Sequence, residues 1–260
     1  MNGPTPQRPD AAASFPPLPR PEDILDGIDW PALAGEFHPS AASIPEDLRR
    51  LVAPDPAVRA AALHVLGVAS VLNSFYEATV PAMVYVAANL SHPHLEEPGP
   101  PGGRQPGEPS SWPTRVVLLE WLGGLAYEVR DHLAARSGAD LGPEMRAFLD
   151  LRPGFYAAQR PFFDHPDVEV RHAAIVAAVP LVEHPDLVRH RDALTFRARR
   201  LLADRTSHRY HRDRIFDALR AWGHDTADLA TPDDLAAFER HAHYAKKRST
   251  PGGYTEHPPF

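Results

Sequence analysis

Apolar positions recur with a helical period along most of the chain. In residues 53–67 and just beyond they fall at 58, 62, 65, 66, 69 and 72, a stripe rather than a strand alternation. Asp55 is placed to accept from the free amides of the first turn, and Pro56 fits the first helical position, where a missing N–H costs nothing. This predicts a helix running to about Asn73. A related unit opens at His165-Pro166-Asp167 and continues through Val170, Arg171, Ala173, Ala174 and Ile175, predicting a helix to about Val182.

Other segments obey the same period. Ile24, Leu25, Ile28 and Trp30 predict a short covering helix. Ser43 and Glu46 are spaced as a capping box before Leu48 and Leu51. Pro81 leads into a helix bearing Met83, Val84, Val86 and Leu90, and another is expected from Pro113 to about Arg136. Gly123-Gly124, in its middle, predicts a bend or a close backbone contact. A helix from Gly142-Pro143 is expected to break at Pro153-Gly154, and His184-Pro185-Asp186 to lead into a basic helix ending near Ala203. Residues 207–222 form one further predicted helix, closed by Gly223. Thr231-Pro232-Asp233-Asp234 caps a last one carrying Leu235, Phe238 and Tyr244. No stretch alternates as a strand does, so the predicted fold class is all-α.

Thirty prolines in 260 residues are about twice the roughly 5% background. Residues 1–21 read as a disordered leader, residues 249–260 as a loose tail, and Gly/Pro-rich residues 96–111 as a flexible insert with no packed element. Residues 22–248 are then expected to form a single domain. With no cysteine, disulfides, thiolate metal sites and cysteine nucleophiles are excluded. No run of apolar residues has the length of a signal peptide in 1–21 or of a membrane span anywhere, so a cytoplasmic protein is expected.

Charge is uneven. The chain carries a net −7, yet residues 189–214 hold nine arginines against three aspartates, while residues 22–55 are net −6. The arginines are either paired within the fold or a basic surface for an acidic partner. The stretch, with Phe196 and Tyr210, has the residue types that contact nucleic acid, but a pI near 6.1 and its confinement to one segment argue against that use.

Fifteen histidines raise the question of a metal. His208-x-x-His211 could share a helical face, but Arg205, Arg209, Arg212 and Arg214 surround it and disfavour a cation. No phosphate loop, nucleophile elbow or zinc-protease motif is present. Glu36, Glu46, Glu120 and Glu128 read as ordinary helical acids. No cofactor, metal or catalytic residue is expected, and the protein is read as a non-enzyme. Phe75-Tyr76-Glu77, ahead of a helix, reads in two ways: the aromatics plug a seam between helical units, or they contact a partner.

The Pro-x-Val and Arg opening of an alanine-rich helix resembles the start of a HEAT repeat. Ile28-Asp29-Trp30, Ile44-Pro45-Glu46-Asp47-Leu48, Asp55-Pro56-Ala57-Val58-Arg59-Ala60 and Tyr76-Glu77-Ala78-Thr79 with Pro81 resemble a set of actinobacterial HEAT-repeat proteins. The likeness covers residues 28–90 well and 113–220 by pattern only. It implies an α-solenoid of helical hairpins, related to armadillo-like arrays, that works by protein–protein interaction. Some similar proteins look like immunity proteins that silence a toxin. HEAT-like di-iron hydroxylases use His-Glu dipeptides as ligands, and this chain has none. HEAT-like DNA glycosylases supply the rival reading, and a passive assembly scaffold a third. The expected partner surface is a groove with Phe75, Tyr76, Glu77, Trp121 and Tyr127, flanked by Arg197, Arg200 and Arg209.

Overall fold

The computed structural model describes residues 15, 17–33, 42–70, 75–101, 111–135, 141–205 and 207–248. Most of the leader, Glu36, residues 71–74, the middle of the insert and the tail lie outside the described residues. The described chain is helical apart from one two-stranded ribbon. Where a single domain was expected over 22–248, it divides into two compact units, Met1–Leu194 and Thr195–Phe260.

The first unit contains α1 (Pro21–Gly27), α2 (Ile44–Arg50), α3 (Pro56–Ala62), α4 (His64–Val68), α5 (Thr79–Asn89), α6 (Thr114–Ala135), α7 (Pro143–Gln159) and α8 (Val168–Ala178). Helix α5 packs on α7 and α6 on α8, while α5 also touches α6 and α7 touches α8. Two helical hairpins thus lie with like helix against like helix. Helices α6 and α8 approach closely at Gly123: a Cβ there would stand 2.9 Å from the Ala177 Cα, whereas one at Gly124 would meet nothing within 4 Å. Gly123 therefore serves close backbone contact, and α6 runs unbroken through both glycines.

The two Asp-led starts are built alike. Asp55 accepts from the Ala57 amide, and Asp167 from the Glu169 and Val170 amides. Four residues on, an arginine reaches back over the turn. Arg59 donates to the Ala53 and Pro54 carbonyls at 2.8 and 2.9 Å. Arg171 donates to those of His165 and Pro166 at 2.5 and 3.4 Å.

Several local expectations change. The Asp55 helix is divided at Leu63, whose amide bonds Ala60 rather than Arg59, a tightening of the turn. Ser43 has helical dihedrals and makes no capping bond, and Glu46 lies 3.3 Å from Arg50 instead. Helix α7 does not break at Pro153. The proline leaves the Leu149 carbonyl without its helical donor, and the Arg152 side chain reaches that oxygen at 3.4 Å. The ends of the insert are ordered as an antiparallel ribbon, β1 (Pro98–Pro101) with β2 (Ser111–Pro113). Within the leader, Phe15 is half-buried, its ring 6.4 Å from that of Tyr156 and 6.0 Å from that of His190.

The second unit holds the part of α9 (Arg191–Ala203) from Thr195 onward, α10 (Arg209–Ala221) and α11 (Pro232–Arg248). Leu201, Leu202, Ile215, Phe216, Leu219 and Ala237 are buried, and the Phe216 and Phe238 rings meet edge to face at 5.1 Å. Gly223, at φ 82°, ends α10. Its amide bonds Arg220 and that of His224 bonds Leu219, a termination that needs a left-handed residue.

Candidate functional site

The aromatic residues proposed for a partner groove are largely spoken for within the first unit. Tyr127 is fully buried and its hydroxyl donates to the Val176 carbonyl at 3.3 Å. It is a core residue and drops out as a surface anchor. Trp121 is half-buried, its indole N–H shared between the Leu66 carbonyl at 3.0 Å and the Ser70 hydroxyl at 2.9 Å, so it ties α6 to the end of α4. Phe75 is half-buried against Phe148, ring centres 5.7 Å apart. The Tyr76 amide donates to Thr79 Oγ1, whose hydroxyl donates to the Ala69 carbonyl. Glu77 alone of the five is exposed. The seam reading fits Phe75.

Charge does structural work where the insert begins. Arg59 is fully buried and places its second terminal nitrogen 2.8 Å from Glu97 Oε2. Arg115, also buried, donates to the Leu90 carbonyl at 2.7 Å, pairs with Glu96, and lies 4.7 Å over the Phe162 ring. His165 Nε2 is 3.2 Å from Glu96 Oε1 while its Nδ1 accepts the Asp167 amide, which assigns the ring proton to Nε2. Hydrogen bonds from Arg59 and His94 hold the Glu97 carboxyl below its ordinary range. Burial pushes Glu96 up, but bonds from Arg115 and His165 outweigh it and the net shift is downward. Glu96 and Glu97, assigned to a mobile insert by the sequence pattern, are anchors of the first unit.

In the second unit the arginine-rich stretch splits by role. Arg212 and Asp234 are enclosed, with side chains 6% and 3% exposed. They meet through two parallel bonds of 3.0 and 2.6 Å. Arg212 also donates to the Leu202 carbonyl at 2.7 Å, and the Thr231 amide and hydroxyl each donate to Asp234 at 2.8 Å. Burial pushes the Asp234 carboxyl up, yet the bonds from Arg212 and Thr231 prevail and bring it down to about 2. Arg199 pairs with Asp228 at 3.1 Å. Arg209 is half-buried, 3.4 Å from Asp213 and 3.4 Å from the Asp233 carbonyl. Arg197 is half-buried and engaged within the chain. Arg200, Arg205 and Arg240 are exposed, and among the described residues they have no carboxylate partner.

A cleft of about 530 Å³ opens over the Arg212–Asp234 pair, with Arg205, Arg209, Asp233 and Arg240 around it. Of the expected site residues, Arg209 lines it, whereas Arg197 and Arg200 do not. Arg240, on the last helix, was not anticipated. Nothing in the sequence joins it to Arg205 until α11 is laid beside the turn ahead of α10. Among the described residues no three His, Asp or Glu side chains gather as a metal-ligand set, and no helix is long and apolar enough to cross a membrane.

No known family model, curated protein or solved structure matches the chain.

Proposed function

We propose that this protein is a non-catalytic protein-binding module, built on HEAT-like helical hairpins, with neutralisation of a toxin as its most specific form. The observation that carries the reading is Phe196, 62% exposed on α9, with exposed Arg200 one turn further on. Aromatic and arginine side chains supply most of the energy of protein interfaces, and a helical pair of this kind gains by being covered. The hairpin pairs α5–α6 and α7–α8, and the matched Asp-cap and arginine turns of Arg59 and Arg171, support a repeat architecture in the first unit.

Co-expression with the products of neighbouring genes, followed by size-exclusion chromatography, tests the reading. The expected result is a stoichiometric complex that persists without turnover of either chain and is weakened by Phe196→Ala by roughly tenfold or more. Recovery of the free chain alone, or a complex indifferent to Phe196→Ala, contradicts it.

A further inference from the structure

We infer that the cleft between the starts of α10 and α11 receives a short acidic segment of a protein partner, its carboxylates held by Arg205, Arg209 and Arg240. The inference rests on the binding-module reading and names the chemistry that one site of it selects.

The floor of the cleft has no charge to offer. Arg212 and Asp234 neutralise each other through two bonds, and the Thr231 hydroxyl is used by the same carboxylate. The recognition groups are therefore those at the rim. Arg205 and Arg240 are exposed and unpaired among the described residues, and Arg209 shares its charge with Asp213 at 3.4 Å. The exposed Asp233 is the one acid of the lining that the floor does not neutralise. Three guanidinium forks facing one carboxylate match a ligand that brings several carboxylates and some N–H donors, which is an acidic peptide with its backbone amides. The volume, about 530 Å³, falls in the range of pockets that enclose small ligands, roughly 300–1,000 Å³.

A nucleic acid fits less well. Its phosphodiester backbone carries no N–H donor to meet Asp233, which repels phosphates and carboxylates alike. Three arginines release few counterions, so a single strand held here would show a salt slope of only about −2. The chain as a whole is acidic, net −7. At physiological salt that charge is screened beyond about 8 Å, so the rim arginines govern what enters.

Fluorescence anisotropy on the full chain tests this, with a fluorescein-labelled octapeptide of alternating aspartate and glutamate as probe and labelled oligothymidylate as the competing class. The peptide is expected to bind, and more tightly than the oligothymidylate. Arg205→Glu and Arg240→Glu should each weaken it roughly tenfold, while Arg160→Glu, the same charge change at an exposed site in the first unit, should alter it less than about twofold. Both rim arginines are exposed, so an unchanged melting curve accompanies the loss. Absence of peptide binding, equal weakening by Arg160→Glu, or tighter binding of oligothymidylate overturns the inference. A partner complex that forms normally with Arg205→Glu and Arg240→Glu also overturns it, while leaving the binding-module reading in place. Peptide binding at the cleft without any partner complex does the reverse.

Discussion

Among the described residues three arginines are buried, and the two units treat them differently. Arg59 and Arg115, in the first unit, end on carboxylates that are about half exposed, Glu97 at 46% and Glu96 at 48%. Arg212, in the second, ends on a carboxylate as enclosed as itself. Water screens the first two pairs and hardly reaches the third. The first unit is accordingly held by helix packing, with charge fastening its seams. The smaller second unit encloses its ion pair, while Arg199 and Arg209 pair with carboxylates nearer the surface and Arg200, Arg205 and Arg240 are exposed.

Removing the enclosed partner is the harshest test of that contrast. Asp234→Ala strands Arg212 without an anion and should cost about 3–5 kcal/mol, read as faster amide exchange across α10 and α11. A loss no larger than that of a surface pair would break the comparison. Acid should find the same weakness. The Asp234 carboxyl lies at about 2 in the fold against 3.8 unperturbed, so its contribution is complete above pH 4 and disappears as pH falls through 2. The amount is about 2 kcal/mol, and urea unfolding of the wild type at pH 6 and pH 2 measures it, with Asp234→Asn losing that pH dependence.

Packing, by contrast, should be the sensitive point of the first unit. Gly123→Ala forces a Cβ to within 2.9 Å of Ala177 and is expected to cost about 1–3 kcal/mol in thermal unfolding. Gly124→Ala, with open space around it, should gain about 0.5–1 kcal/mol from helix propensity. Glu97→Gln should lower the melting temperature less than Gly123→Ala does, because the carboxylate is half in water and Arg59 keeps its two carbonyls. If Glu97→Gln proved as costly as Asp234→Ala, screening would not be what separates the units.

Local signals in the sequence were read well where one residue does one job. Asp55, Asp167 and Thr231 cap the helices that they precede, and Gly223 ends α10. Of the glycine pair, Gly123 marks a close helix contact. What the pattern hid was pairing at a distance. Arg59, Arg115 and Arg212 each lie on an apolar stripe, three, four or seven residues from Ala62 and Leu66, from Leu118, Leu119 and Leu122, and from Ile215, Phe216 and Leu219. A charged residue in that position signals a buried group with a carboxylate somewhere, but periodicity does not say which. The partners come from an insert read as structureless and from the cap of the last helix. For the same reason Tyr127 and Trp121 looked like surface anchors: their hydrogen-bond acceptors, Val176, Leu66 and Ser70, lie about fifty residues away. The basic stretch divides by residue. Arg212 is paired inside the fold and Arg199 at its surface, while Arg200 and Arg205 face solvent.

The proposed division of arginines into those that hold the fold and those that meet a partner is tested most directly by measuring stability and acidic-octapeptide affinity together on Arg240→Glu. The account predicts a melting temperature equal to that of the wild type and an affinity lowered roughly tenfold. A lowered melting temperature with unchanged affinity would show that this arginine, too, belongs to the framework, and would contradict the account.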